Sequence, residues 1–362
     1  MKNKPRIVID AMGGDHAPRS IIDGAASAHR EFGSDIILVG KADIIKNELL
    51  KLGAAHLPLS VVHASEVIHM EDNPLDVVRK KKDSSIRVGM DLLLNKKADA
   101  FLSAGNSGAV ASSALFMLKR IKGIDRPAIT AVMPTLTGHV VVADAGANSV
   151  CKPYNLVQFA IMNTVYCRYI LKCAEPRVGI ISNGEEETKG TDTLKQAHAL
   201  LKKSSLNYIG YIEGRDLFKG DIDVAICDGF TGNVLLKVAE GVAESFGFAV
   251  KQELSRTFLS KLGYLFARSS FHRLKNRFDY SEYGGAPLLG VNGSVLIGHG
   301  SSNAHAIKNA AKAAADFASA GIVNMLQSGL KTNSDLEKLG KKPSFIDKVL
   351  HDIHIKKSDK NS

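Results

Sequence analysis

VAICDGFTGNVLLKVAEG, residues Val224 to Gly241, decides the fold. A short apolar run, Val224 to Cys227, breaks at Asp228-Gly229, and after Gly232-Asn233 a helical pattern is expected from Val234 onward. That is a strand, a tight glycine turn and a helix start. In open α/β sheets ligands sit in the crevice beyond the carboxyl ends of the strands, and Asp228 falls at such an end. The turn can offer backbone N–H groups and a helix N-terminus to an anion. A turn closed by a helix-capping Asp accounts for the same residues, so this stretch alone leaves both readings open.

Working outward, the same junction recurs. Arg6 to Asp10, RIVID, leads into Ala11 to Pro18, AMGGDHAP, and then a helical run. The glycines permit close backbone approach, and Asp15 and His16 add polar side chains. The loop is neither a dinucleotide-binding GxGxxG nor a Walker loop, so it carries no nucleotide assignment. Strand Ala100 to Leu102 runs into Ser103 to Ala109, SAGNSGA, which opens a small-residue helix. Asn106, Ser107 and Gly108 make this the stronger phosphate candidate, with tight helix–sheet packing as the alternative. Pro127 to Met133 and Gly138 to Ala143 read as a strand pair ending in Asp144-Ala145-Gly146-Ala147-Asn148. Strand Arg177 to Ser182 ends in Asn183 to Thr191, where three glutamates precede Lys189; Glu213-Gly214-Arg215-Asp216 closes another strand. Strands alternating with helices predict a parallel sheet covered by helices. Several polar glycine junctions together predict one shared cleft at its carboxyl edge.

Downstream, residues 254–280 change character. Leu254, Phe258, Leu262 and Phe266 fall at four-residue steps, with Leu259 and Leu265 beside them, among Arg256, Lys261, Arg268, Arg273, Lys275 and Arg277. An apolar stripe with a basic face suits a helix lying on an anionic membrane; packing on the core or on a second subunit is the alternative. A glycine-rich loop, Tyr283 to Gly290, precedes strand Ser294 to Ile297. Gly298-His299-Gly300-Ser301-Ser302-Asn303 then opens a long helix, Ala304 to Gln327. His299 is an acid, base or binding group, or a structural hydrogen-bonding histidine. Residues 331–362 read as a polar, mobile tail, beyond a main domain of residues 1–330.

The 362 residues are 45% hydrophobic, ordinary for a packed core. No apolar run reaches the roughly 18 residues of a spanning helix, and the N-terminus has no secretory pattern. The four cysteines, Cys151, Cys167, Cys173 and Cys227, show no metal-ligand spacing, so no metal is expected; Cys227 beside Asp228 reads as buried rather than nucleophilic. A net charge of +10 favours an acidic partner. No nucleic-acid motif is visible, so nucleic acid is not expected.

IDAMGGDHAP, SAGNSGA, DAGAN, GEEETKG, EGRD, CDGFTGNVLLK, YGGAPLLG and GHGSSN, in this order from about Arg6 to Gln327, closely resemble the phosphate acyltransferase family known as PlsX. Departures are mild: Asn163 stands where glycine is usual, and Ser182-Asn183 leads into the acidic loop. The resemblance implies a three-layer α/β/α sandwich with a mostly parallel sheet, similar to phosphotransacetylases and isocitrate/isopropylmalate-type dehydrogenases, built as a homodimer. It implies reversible transfer of a long fatty acyl group from acyl carrier protein to inorganic phosphate. The acyl phosphate would pass to a membrane glycerol-3-phosphate acyltransferase, which places the protein in the cytoplasm against the inner face of the membrane.

That reaction needs an anion site and stabilisation of a tetrahedral oxyanion. It requires no enzyme nucleophile, consistent with the lack of a nucleophile-elbow motif, and no cofactor. Lys189 is the expected electrostatic group, with Asp228 as its partner or as an orienting base. Asn106, Ser107 and Gly108 would cradle phosphate, with Asp15, His16, Asn233 and His299 as further binding groups. Phe258, Leu259, Leu262, Leu265 and Phe266 are the expected membrane contacts. A short-chain enzyme using coenzyme A, or a non-catalytic adaptor for acyl carrier protein, are the alternatives.

Overall fold

Short β-branched and aliphatic runs, several of them stopped by Gly, Asp or Ser, become mostly parallel strands because both faces of such a strand can be covered by helices. The computed structural model describes residues 4–278 and 280–333. The strands are β1 (Arg6–Asp10), β2 (Asp35–Gly40), β3 (Ser60–His63), β4 (Ala100–Ser103), β5 (Ala128–Ile129), β6 (Ala131–Pro134), β7 (His139–Ala143), β8 (Val178–Ile181), β9 (Tyr208–Ile212), β10 (Val224–Ile226), β11 (Ala286–Leu289) and β12 (Ser294–Ile297). The helices are α1 (Arg19–Phe32), α2 (Ala42–Lys51), α3 (Pro74–Lys80), α4 (Ser85–Leu94), α5 (Ser107–Met117), α6 (Pro153–Tyr169), α7 (Asp192–Leu201), α8 (Gly229–Arg256), α9 (Phe258–Phe278), α10 (Ala304–Ser319) and α11 (Ile322–Thr332).

The fold is α/β with helices on both faces, as expected, but the strands divide between two sheets. One has the order β3-β2-β1-β4-β12-β11-β5, the other β6-β7-β10-β8-β9. Pairing is parallel except where β11 meets β12 and β5, and where β6 meets β7. The expected strand Pro127 to Met133 is therefore two strands, one in each sheet, and the chain crosses between them at Thr130. Thr130 donates its hydroxyl to Asn163 Oδ1 at 2.7 Å, and Asn163 Nδ2 donates to Phe159 O at 2.8 Å. The unusual Asn163 is thus a fully buried polar group with its bonds made.

One apolar core runs through both halves: Ile7, Ile9 and Leu102 under the first sheet join Val141, Val178 and Val224 of the second through helices α1, α6 and α10. The opposite face of the first sheet packs Val8 and Phe101 against α4 and α5. The opposite face of the second packs Val140, Val142 and Ala225 against Leu235, Leu236 and Ala239 of α8.

Two helices differ from expectation. The Ala304–Gln327 helix breaks at Gly321, whose φ of 63° lies in the left-handed region that suits glycine. Residues 254–280 are not one helix: α8 ends at Arg256, Thr257 is extended, and α9 begins at Phe258. From Gly241 to Ala249 every residue of α8 is exposed, so this part of α8 has no cover within the described residues. Of the expected tail, residues 334–362 lie outside the described residues. Among the described residues no helix is long and apolar enough to cross a membrane.

Candidate active site

Three strands of the first sheet deliver loops that lock backbone to backbone. Asp10, at the end of β1 and almost wholly buried, accepts the Ser103 hydroxyl at 2.7 Å and the Met12 N–H at 3.0 Å. Burial still pushes its carboxyl up, with the hydroxyls of Ser85 and Ser103 partly countering that. A Cβ on Gly13 would lie 2.5 Å from Asp10 Oδ2 and 2.8 Å from Gly105 N, so only glycine lets the β1 and β4 loops touch here. The β12 loop joins them: Asp15 N–H donates to Gly300 O at 2.8 Å.

Asn106 caps α5, accepting the Ala109 N–H at 3.0 Å. Its amide donates to Met70 O at 2.9 Å and Asp72 O at 3.1 Å. Both ends of the side chain are thus engaged, and Ser107 and Gly108, exposed in the first turn of α5, are where N–H groups face outward without intrahelical partners. Asp15 and His16 are also exposed.

In the second sheet Asp144, fully buried, follows β7 directly and organises the loop after it. Its Oδ1 accepts N–H groups from Ile129, Gly146 and Ala147, and its Oδ2 accepts the N–H and side-chain amide of Asn148. Burial raises this carboxyl too, against those bonds. Asn148 O in turn receives the Gly229 N–H at 2.7 Å, which seats the N-terminus of α8. Asp228 is the N-cap: its carboxylate takes both the N–H and the hydroxyl of Thr231 at 2.9 Å. The helix therefore starts at Gly229, five residues before the expected Val234. Asn233 lies against Gly146, whose added Cβ would sit 3.7 Å from Asn233 Cβ.

Lys189 is exposed in the loop after β8, its N–H bonded to Glu186 O at 2.9 Å. Among the described residues its ammonium has no partner, and no ion pair joins it to Asp228. Of the preceding glutamates, Glu187 pairs with Lys202, which holds its carboxyl below the usual range. Glu185 has an oxygen within 4.8 Å of Glu213 and Asp216, but Asp216 is already bonded to Lys219 and Glu213 to Arg215.

The two halves meet across the edge. Ala109 and Val110 of α5 share one apolar cluster with Ala145 of the Asp144 loop, and Ala147 and Leu236 pack against it. On the polar side Lys237 Nζ of α8 lies 3.1 Å from His299 Nε2 of the β12 loop and 3.2 Å from Glu240 Oε2. Glu240 Oε2 is 3.5 Å from His299 Nε2, and this contact lowers the Glu240 carboxyl. The sequence reading found His299 but missed Lys237, Asp10 and Asp144. The two aspartates had the same signal as Asp228, an Asp ending an apolar run; Lys237 had only its spacing of four from Asn233. Cys227 is buried and its thiol is pushed well up by burial, while the Cys151 thiol is pushed up to about 12. Neither forms a thiolate at neutral pH.

The chain matches the family model described as fatty acid synthesis protein over residues 5–325. It is 52% identical over 331 residues to a phosphate acyltransferase of Geotalea uraniireducens, covering 91% of this chain and 96% of that protein. To a phosphate acyltransferase of Pelobacter propionicus it is 49% identical over 344 residues, covering 92% of this chain and 99% of that protein. A phosphotransacetylase from Streptococcus pyogenes has a similar structure, with a TM-score of 0.57 at 18% identity, covering 88% of this chain and 95% of that one. The EutD phosphotransacetylase from Staphylococcus aureus gives 0.54 at 16% identity, covering 87% and 94%. These two show the fold.

Proposed function

The chain belongs to the phosphate acyltransferase (PlsX) family, acyltransferases of fatty acid and phospholipid synthesis, and from that premise we propose that it moves a long-chain acyl group from acyl carrier protein to inorganic phosphate. A phosphate oxygen attacks the thioester carbonyl, the C–O bond forms, the C–S bond breaks, and the thiolate leaves to take up a proton. Ser107 and Gly108 at the head of α5 would hold phosphate, with Asp15 and His16 beside them. Lys189 would stabilise the oxyanion, and Asp228 and Asn233 would orient the reactants at the head of α8. The observation that supports this reading best is that the head of α5 and the Asp144 loop, one from each sheet, meet at one edge beside the head of α8, while burial holds the Cys227 thiol there neutral. Attack by phosphate itself needs no enzyme nucleophile.

The test is release of free carrier thiol from purified long-chain acyl-acyl carrier protein, with and without phosphate. Phosphate-dependent release is the expected result. Binding of the carrier without release would favour a non-catalytic adaptor, and release from acetyl-CoA alone would favour the short-chain enzyme.

The partners follow from chemistry. Acyl carrier protein is acidic and this chain carries +10. Phe258, Leu259, Leu265 and Phe266 are 81%, 80%, 62% and 82% exposed, and Leu262 42%, interleaved with basic residues. This face of α9 would rest on an anionic bilayer, near the membrane glycerol-3-phosphate acyltransferase that takes the product, with a second copy of the chain covering the rest of the α8–α9 arm. Phe266→Glu should abolish co-flotation with phosphatidylglycerol vesicles while thiol release in solution continues; undiminished flotation would remove α9 as the contact.

A further inference from the structure

We propose that Lys237 and His299 form a binding site for the phosphodiester of the phosphopantetheine arm that carries the acyl thioester. The inference rests on the reaction proposed above and assigns a part of the substrate that reaction leaves unplaced.

Asn233, Lys237 and Glu240, four and three residues apart, share one face of α8. Contacts fix what that face meets: Asn233 stands at Gly146 of the Asp144 loop, and Lys237 and Glu240 stand at His299. The face is thus a polar track. It runs from the Asp144 loop at the head of α8, near where the acyl carbon would react, to the cluster of Lys237, His299 and Glu240. Nine residues of helix separate Asp228 from Lys237, about 13 Å along the axis at about 1.5 Å per residue. A pantetheine arm laid along the track with its sulfur at the cap would extend toward that cluster.

The cluster is built from both halves of the protein. His299 belongs to the β12 loop, tied through Gly300 to Asp15, while Lys237 and Glu240 belong to α8. His299 is held in place: its Nδ1 lies 2.7 Å from Ser301 Oγ and receives the Ser301 N–H at 3.2 Å. Lys237 is 60% exposed and His299 32%, so both are open to a ligand arriving from solvent. Glu240 holds the ammonium in position between turnovers, and a phosphodiester would take over its donors through charge-assisted hydrogen bonds. The anion site for inorganic phosphate, at the head of α5, is a separate set of residues. Coenzyme A presents its own phosphate at the corresponding end of the same arm, so the chemistry is shared by two carriers.

Three acyl thioesters with one acyl group separate the possibilities: acyl-acyl carrier protein, acyl-CoA, and acyl-N-acetylcysteamine, which keeps the thioester and lacks the phosphate. Turnover of all three by the wild type tests the underlying reaction; its failure would fall on that reaction and be visible before any variant is compared. In Lys237→Ala the ratio of kcat/KM for the carrier thioester to that for the truncated thioester should fall about tenfold, the loss expected for one charged hydrogen bond. KM for inorganic phosphate should stay in place, and His299→Asn should lower the same ratio. A loss confined to acyl-CoA would identify coenzyme A as the source of the phosphate. An equal loss on all three thioesters, or a rise in KM for inorganic phosphate, would overturn the assignment. Lys237 is an exposed surface residue, so folding is not at stake in its replacement.

Discussion

Lys189→Ala should lower phosphate-dependent thiol release by about a hundred- to a thousandfold, the scale for losing one electrostatic contact to a developing oxyanion, and leave thermal stability in place. The two halves of this expectation have separate causes. The side chain is exposed and its ammonium makes no bond among the described residues, so the folded state loses nothing with it. The loop keeps its shape through contacts that do not use the Lys189 side chain: the Lys189 N–H on Glu186 O, and the Gly190 N–H on Asn183 Oδ1 at 3.0 Å. In the proposed reaction, a thioester carbonyl oxygen gains charge as phosphate attacks, and an unpaired ammonium is worth most where it has no resident anion to leave. Lys202→Ala, which removes only the partner of Glu187, is the control and should lose little. Release by Lys189→Ala at the wild-type rate would take Lys189 out of the chemistry.

Gly232→Ala should cost about 3 kcal/mol or more, the upper range for overpacking, read as a shift of the urea midpoint. The added Cβ would fall 2.0 Å from Asp144 O, 3.0 Å from Asp144 C and 3.1 Å from Cys227 Sγ. Neither side can yield cheaply. The Asp144 main chain is fixed by the hydrogen bonds its own carboxylate gathers, and Gly232 lies in the first turn of a helix seated on Asn148. Displacing that turn would also move Asp228, so turnover should fall with stability. Gly241→Ala on the same helix meets nothing within 4 Å; relieving glycine there should stabilise by about 0.5–1 kcal/mol. If Gly232→Ala matches the wild type in stability, the Asp144 loop is softer than its bonding implies.

Much of this site was legible because parallel strands announce their carboxyl ends. An apolar run that stops at Asp, Asn or Ser with glycine marks Asp10, Asn106, Asp144 and Asp228 alike. What such a run does not reveal is which sheet it joins, since pairing partners are remote in sequence; hence one sheet was expected and two are present, with Thr130 between them. Gly229 and Gly232 read as turn residues by propensity, yet they are the first turn of α8, because close approach to the Asp144 loop requires them there. The opposite error occurred at Gly321, where an alanine-rich pattern hid a left-handed break. Lys237 was passed over because a lysine on a helix is ordinary until a histidine from another loop stands 3.1 Å away.

The order of strands in the first sheet sets a constraint on synthesis. Strand β12 lies between β4 and β11, so it fills the middle of a sheet begun by the first hundred residues. Until Ser294–Ile297 leaves the ribosome, β4 offers an unpaired edge, AFLS, with no charge to discourage pairing with another chain. The entire second sheet is translated in that interval. The N-terminal half therefore completes its native sheet last rather than first, contrary to the usual order in which domains fold as they emerge, and its waiting edge is open to mispairing between nascent chains.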